Sequence, residues 1–142
     1  GRGVKGNFES LLKIMRLPIP LPFGGIKNKR SLVCLDNLVD LVVTCIDHPN
    51  AKNKCFLVSD DRDLSTPELL AMLAQAGGRK PLIFRCPQKL LSIALSLLGK
   101  SAIYERLCGS MQVDIEDTKF QLGWNPPFKV EDALADCWYK LD

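Results

Sequence analysis

Apolar residues recur along the chain at spacings of three and four, so most of its elements read as amphipathic helices. Phe8, Leu11, Leu12 and Met15 form the first such stripe, with Asn7 placed to cap it. Pro18, Pro20 and Pro22 stop that helix and force extended backbone up to Phe23-Gly24-Gly25. Lys27 to Arg30 reads as a polar loop and Ser31 to Leu35 as a short strand. Asp36 is then the expected cap of a helix whose inward positions are Leu38, Leu41, Val42, Cys45 and Ile46. That helix ends at Asp47-His48-Pro49-Asn50. Cys55 to Val58 is apolar without alternation, which predicts a strand covered on both faces.

The strongest start signal is Ser65-Thr66-Pro67-Glu68, a capping box with proline at the opening of the helix. The helix continues through Leu69, Leu70, Leu73 and Ala76 and stops at Gly77-Gly78. Pro81 to Phe84 predicts another strand. Pro87 to Leu98 is a helix with so few polar positions that it should be covered on most sides. Short helices follow over Ser101 to Cys108 and Asp114 to Leu122, separated by an extended piece at Met111 to Val113. A last stripe of Val130, Ala133, Leu134, Cys137, Trp138 and Leu141 closes the chain. About six helices with a few short strands make an α-rich α/β fold with little sheet of its own.

Composition narrows the class. At 142 residues, positions 1–142 form one domain, and 46% apolar with 25% charged residues is ordinary globular usage. The longest nearly apolar run, Leu90 to Leu98, falls short of the roughly 20 residues a membrane span needs. No charged leader with an apolar core opens the sequence, so no export signal is expected. The net charge of +3 is too small for a dedicated nucleic-acid binder, but it is unevenly spread. Residues 1–30 carry +6 and residues 31–142 carry −3, so the positive end is either a solvated face or an anion site. Six cysteines without a CxxC, beside the single His48, fit buried reduced thiols in a reducing cytosol better than disulfides or zinc.

Reactive chemistry is thin. No Ser or Cys stands in a nucleophile elbow, no GxGxxG follows a strand, and Asp60, Asp61 and Asp63 read as a solvated turn. Binding equipment is better represented. Asn7 and Phe8 open a helix whose free amides favour an anion. Leu21 and Phe23 lie on a proline-stiffened segment able to face a planar base, and Arg30 brings a planar fork suited to phosphate. Each also reads as a helix cap, a core side chain or a surface arginine; together they outline a pocket for a nucleoside diphosphate.

The order of these segments resembles a known family. Gly3-Val4-Lys5-Gly6-Asn7-Phe8, then Pro20-Leu21-Pro22-Phe23-Gly24, then Lys29-Arg30-Ser31-Leu32-Val33-Cys34-Leu35-Asp36-Asn37-Leu38-Val39-Asp40 are similar to the C-terminal half of the extended short-chain dehydrogenase/reductases. Phe56-Leu57-Val58-Ser59-Asp60, Ser65-Thr66-Pro67-Glu68-Leu69, Gly109-Ser110-Met111-Gln112-Val113-Asp114 and Leu122-Gly123-Trp124-Asn125-Pro126 continue the likeness to the end of the chain. The nearest likeness is to the NAD-dependent nucleotide-sugar epimerase/dehydratase group, UDP-sugar 4-epimerases above all.

The resemblance implies a substrate-binding C-terminal portion whose dinucleotide-binding half is absent. Asn7 and the Phe8 amide would hold the diphosphate, Leu21 and Phe23 would flank the uracil, and Arg30 and Arg106 would face phosphate or ribose. NAD would sit on the absent half, which would also supply the catalytic Tyr-xxx-Lys pair; Tyr104 and Tyr139 lack a lysine four positions on. No catalytic residue, bound cofactor or metal is therefore expected of these residues alone. Leu32 and Cys34 replace an aromatic and a Tyr or His of many members, leaving sugar and base open. Asp36 and Asp114 read as structural caps. A dehydratase or reductase on the same substrates, or a non-enzymatic interaction module, are the alternatives. The expected partner is a nucleotide-sugar in the cytoplasm, neither nucleic acid nor membrane, with self-association through apolar surface left uncovered.

Overall fold

The computed structural model describes residues 7–99 and 101–139. In chain order its helices are α1 (Asn7–Met15), α2 (Leu35–Asp47), α3 (Thr66–Ala76), α4 (Gln88–Leu97), α5 (Ser101–Cys108), α6 (Glu116–Leu122) and α7 (Val130–Tyr139). Two strands, β1 (Arg30–Ser31) and β2 (Asp63–Leu64), pair antiparallel with Arg30 opposite Leu64. Seven α-helices and one two-stranded sheet among the described residues agree with the helix-rich reading.

Helix α3 starts as its sequence dictates. The Ser65 hydroxyl accepts from the Glu68 amide while the Glu68 carboxylate accepts from the Ser65 amide at 2.7 Å. Its buried Leu70, Leu73 and Ala74 meet Leu12 and Met15 of α1 and Val130, Leu134 and Trp138 of α7, and this three-helix contact is the main core. A smaller core joins Leu41 of α2 to Ile115, Leu122 and Trp124. Gly123 ends α6 in the left-handed conformation, φ 59°, where a side chain would be strained.

Several expectations are corrected. Cys34, not Asp36, caps α2: its thiol accepts from the Asn37 amide, and Asp36 lies in the first turn. Asp114 does act at its helix start, accepting from the Glu116 amide at 2.9 Å. Cys55–Val58 forms no ladder, and the segment from Pro81 to Phe84 contributes a single parallel bridge from Ile83 to Leu21. Helix α2 buries Asn37 and Leu41 while Leu38, Val42 and Ile46 face outward. Helix α4 buries only Leu91 instead of being covered on most sides. Of the six thiols, all free, only Cys34 is buried, and Cys55 is exposed. Leu141 lies outside the described residues.

Candidate functional site

Arg30 is held by a small knot of backbone. Strand β1 pairs with β2 on one side and, on the other, bridges in parallel to Met111. The Met111 amide donates to the Lys29 carbonyl and the Ser31 amide to the Met111 carbonyl, both at 2.9 Å. From this ladder the Arg30 guanidinium reaches the Gly109 carbonyl through Nε at 2.8 Å. Beneath it the Asn28 amide group donates to the Leu107 and Gly109 carbonyls and accepts from the Thr66 amide. Asn28 is buried, so the stretch read as a polar loop is pinned at its centre. Neighbouring asparagine and lysines gave no sign of this, because nothing in the local pattern distinguishes a buried amide from a solvated one.

Around the knot, Lys27, Lys29 and Arg106 are exposed and basic. Arg106 lies in the last turn of α5, two residues before Cys108, whose thiol is raised by burial against the opposing pull of its Tyr104 hydrogen bond and the nearby Arg30 charge. Asp63 accepts from Ser31 Oγ at 2.6 Å and from the Gln112 side chain, hydrogen bonds that hold its carboxyl below the usual range. Asp61 pairs with Lys119 at 2.7 Å. Asp60 is buried and accepts from the Cys34 amide at 2.9 Å and from Asn37 at 2.7 Å. Asp60 is thus a buried anchor, a correction to the solvated-turn reading that holds for the exposed Asp61 and Asp63, and among the described residues no His/Cys/Asp/Glu group is arranged to hold a metal ion.

Three other predicted site residues, Phe8, Leu21 and Phe23, sit on the main core. Leu21 is buried, its amide donating to the Leu82 carbonyl at 2.8 Å and its carbonyl accepting from Phe84 at 3.0 Å. The accessible part of that segment is therefore the half-buried stretch from Pro22 to Gly25. Gly25 approaches so closely that a Cβ there would lie 2.2 Å from the Cys86 carbonyl oxygen. Phe23 packs partly on the main core. Phe8 does the same and lines a cleft of about 210 Å³ with Leu32, Cys34, Asp60, Leu134 and Cys137. Asn7 is within α1; its side chain lies outside the described residues. The structure fastens Phe8, Leu21 and Phe23 to one core and joins Arg30 to it through Leu64, while Arg106 is exposed on α5, whose Leu107 carbonyl accepts from Asn28 and Thr66.

No family model matches the chain. A comparison with curated proteins is decisive where the motifs alone are short: over 135 residues, 94% of the chain, the sequence is 50% identical to a characterised relative. The motif order and the helix-rich fold are accordingly similar to the C-terminal part of an epimerase-type extended short-chain dehydrogenase/reductase. The relative is the UDP-glucose 4-epimerase of Vibrio cholerae, and the chain spans 41% of its length.

Proposed function

We propose that this chain clamps the nucleoside diphosphate of a UDP-sugar within an NAD-dependent 4-epimerase. The carrying observation is the half-identity to a UDP-glucose 4-epimerase across nearly the whole chain. The geometry supports it: Arg30 is braced by Gly109 at the edge of the basic knot, and Phe8 and Phe23 flank the same core. In this reading Arg30 and Arg106 meet the diphosphate, the opening of α1 at Asn7 and Phe8 offers it backbone amides, and Pro22 to Gly25 with Phe23 faces the base. Leu21 acts from within the core by fixing that segment against Leu82 and Phe84.

The residues described do not fit NAD. Their one sheet is two short antiparallel strands, and no glycine-rich strand-to-helix turn is available to cradle a dinucleotide. The nicotinamide, which supplies hydride transfer when bound, belongs on another part of the enzyme. This chain's contribution is binding and orientation, and the chain alone should turn over no UDP-sugar. Calorimetric titration with UDP-glucose tests the assignment. Arg30→Ala should weaken binding by about 1.5–3 kcal/mol, the scale of a lost hydrogen bond to a charged group. Unchanged affinity in that variant would remove Arg30 from the site.

A further inference from the structure

Among the described residues, helices α2 and α4 expose apolar faces whose bordering charges are opposite. On α2, Leu35, Leu38, Val39, Val42, Val43 and Ile46 are exposed on a helix bearing Asp36, Asp40 and Asp47 and no basic residue. Helix α4 presents a second such face. It exposes Leu90, Ile93 and Leu97 at i, i+3 and i+7, with Leu98 following, and turns Leu91 inward. Leu97 is 83% exposed, close to the limit for a side chain with no neighbour.

The chain leading into α4 carries the same signature. From Arg79 to Gly99 there are four basic residues, Arg79, Lys80, Arg85 and Lys89, and no acidic one. All four are exposed. Between them the extended segment alternates, with Leu82 and Phe84 outward and Ile83 against the core. Lys89 is exposed beside Leu90 of the α4 stripe, a position from which a lysine can lay its stem along apolar surface and keep its ammonium at the polar boundary.

We infer that α4 and the segment before it form an in-plane docking surface for an anionic lipid bilayer. A short amphipathic helix with leucines on one side and cations at its border buries its apolar face at the headgroup boundary and gains from the negative surface potential. No helix among the described residues is long and apolar enough to cross a membrane, so contact is confined to the surface. This departs from the sequence expectation of no membrane partner, which rested on the lack of a spanning stretch and did not weigh an exposed α4. A nucleotide would leave the leucines uncovered, and a second copy meeting α4 through its acidic α2 is an outcome that the test distinguishes.

The test is co-sedimentation of the full chain with phosphatidylcholine vesicles, with and without phosphatidylglycerol, at low and high salt. Binding should require the anionic lipid and fall as salt rises. Ile93→Glu combined with Leu97→Glu should abolish it without altering the circular dichroism spectrum or melting, because both side chains are exposed. Lys89→Gln should weaken it by about fivefold, the scale for one basic residue at a charged surface. Absence of binding, equal binding to neutral vesicles, or binding indifferent to the double variant would each overturn the inference. So would a double variant that changes the chain from oligomer to monomer, since a second copy would then be what covers α4.

Discussion

Asn37 shows what one buried side chain can organise. Its amide group donates to Asp60 at 2.7 Å and to the Phe128 carbonyl at 2.9 Å, and its carbonyl oxygen accepts from the Phe128 amide at 2.9 Å. Three segments distant in sequence are thereby fixed at the start of α2, and every polar atom of Asn37 is used. Asn37→Ala should cost about 2–3 kcal/mol, because it leaves the buried Asp60 carboxylate with only the Cys34 amide as donor and removes the partner of both the Phe128 amide and carbonyl. Urea unfolding would show this as a lower midpoint at unchanged slope; a loss below about 0.5 kcal/mol would mean water replaces the side chain at no cost. Nothing local announces such a residue. Asn37 belongs to a stretch whose order resembles the family, yet its burial depends on Asp60 and Phe128, partners that only the folded chain brings near. Arg30 stands out in sequence for its planar charge after a basic stretch; its brace at Gly109 does not, since that carbonyl is 79 residues away.

At the scale of elements, local chemistry was readable and facing was not. The capping box of α3 is complete in four residues, so its geometry follows from sequence. The Ser65 hydroxyl, then its backbone amide, holds the Glu68 carboxyl below its ordinary range. A depressed folded value means that the contribution is present above the unfolded value of about 4.3 and is lost as pH falls through the folded one. Ser65→Ala should therefore cost about 1 kcal/mol near neutrality, and Glu68→Gln should flatten the acid limb of stability measured by denaturant melts between about pH 5 and pH 2. An unaltered acid limb would show that the box does not titrate with folding. Helix α2 is the contrary case. It is apolar over most of its circumference, so spacing alone could not choose between the face at Asn37 and Leu41 and the face at Leu38, Val42 and Ile46. Cys55–Val58 likewise reads as a strand, but a strand requires a partner, and none pairs with it among the described residues.

For the whole molecule, the uncovered face of α2 has a consequence. Apolar surface left in water costs about 25 cal/mol per Å², so a few hundred Å² is comparable with the stability of a domain. The isolated chain should therefore self-associate through α2, assisted by exposed Leu57. The exposed Asp36 and Asp47 at the helix ends oppose like charges in a symmetric pair, so association should strengthen with salt. Sedimentation at tens of micromolar should show species larger than the monomer, and Val39→Glu with Val42→Glu should return the monomer. A monomer in the unsubstituted chain would contradict this account of the face.

The most direct measurement is an amide chemical-shift titration of the isotope-labelled chain with UDP, alongside an assay of the same sample with NAD and UDP-glucose. A clamp for the nucleoside diphosphate predicts shifts at Phe8, Phe23, Arg30 and Gly109 to Met111, the residues that carry or brace the site, and no turnover. An unchanged spectrum at roughly millimolar UDP, where even the weakest specific sites fill, would contradict the clamp and leave an interaction module in its place. Turnover by the chain alone would contradict the division of labour on which the clamp rests.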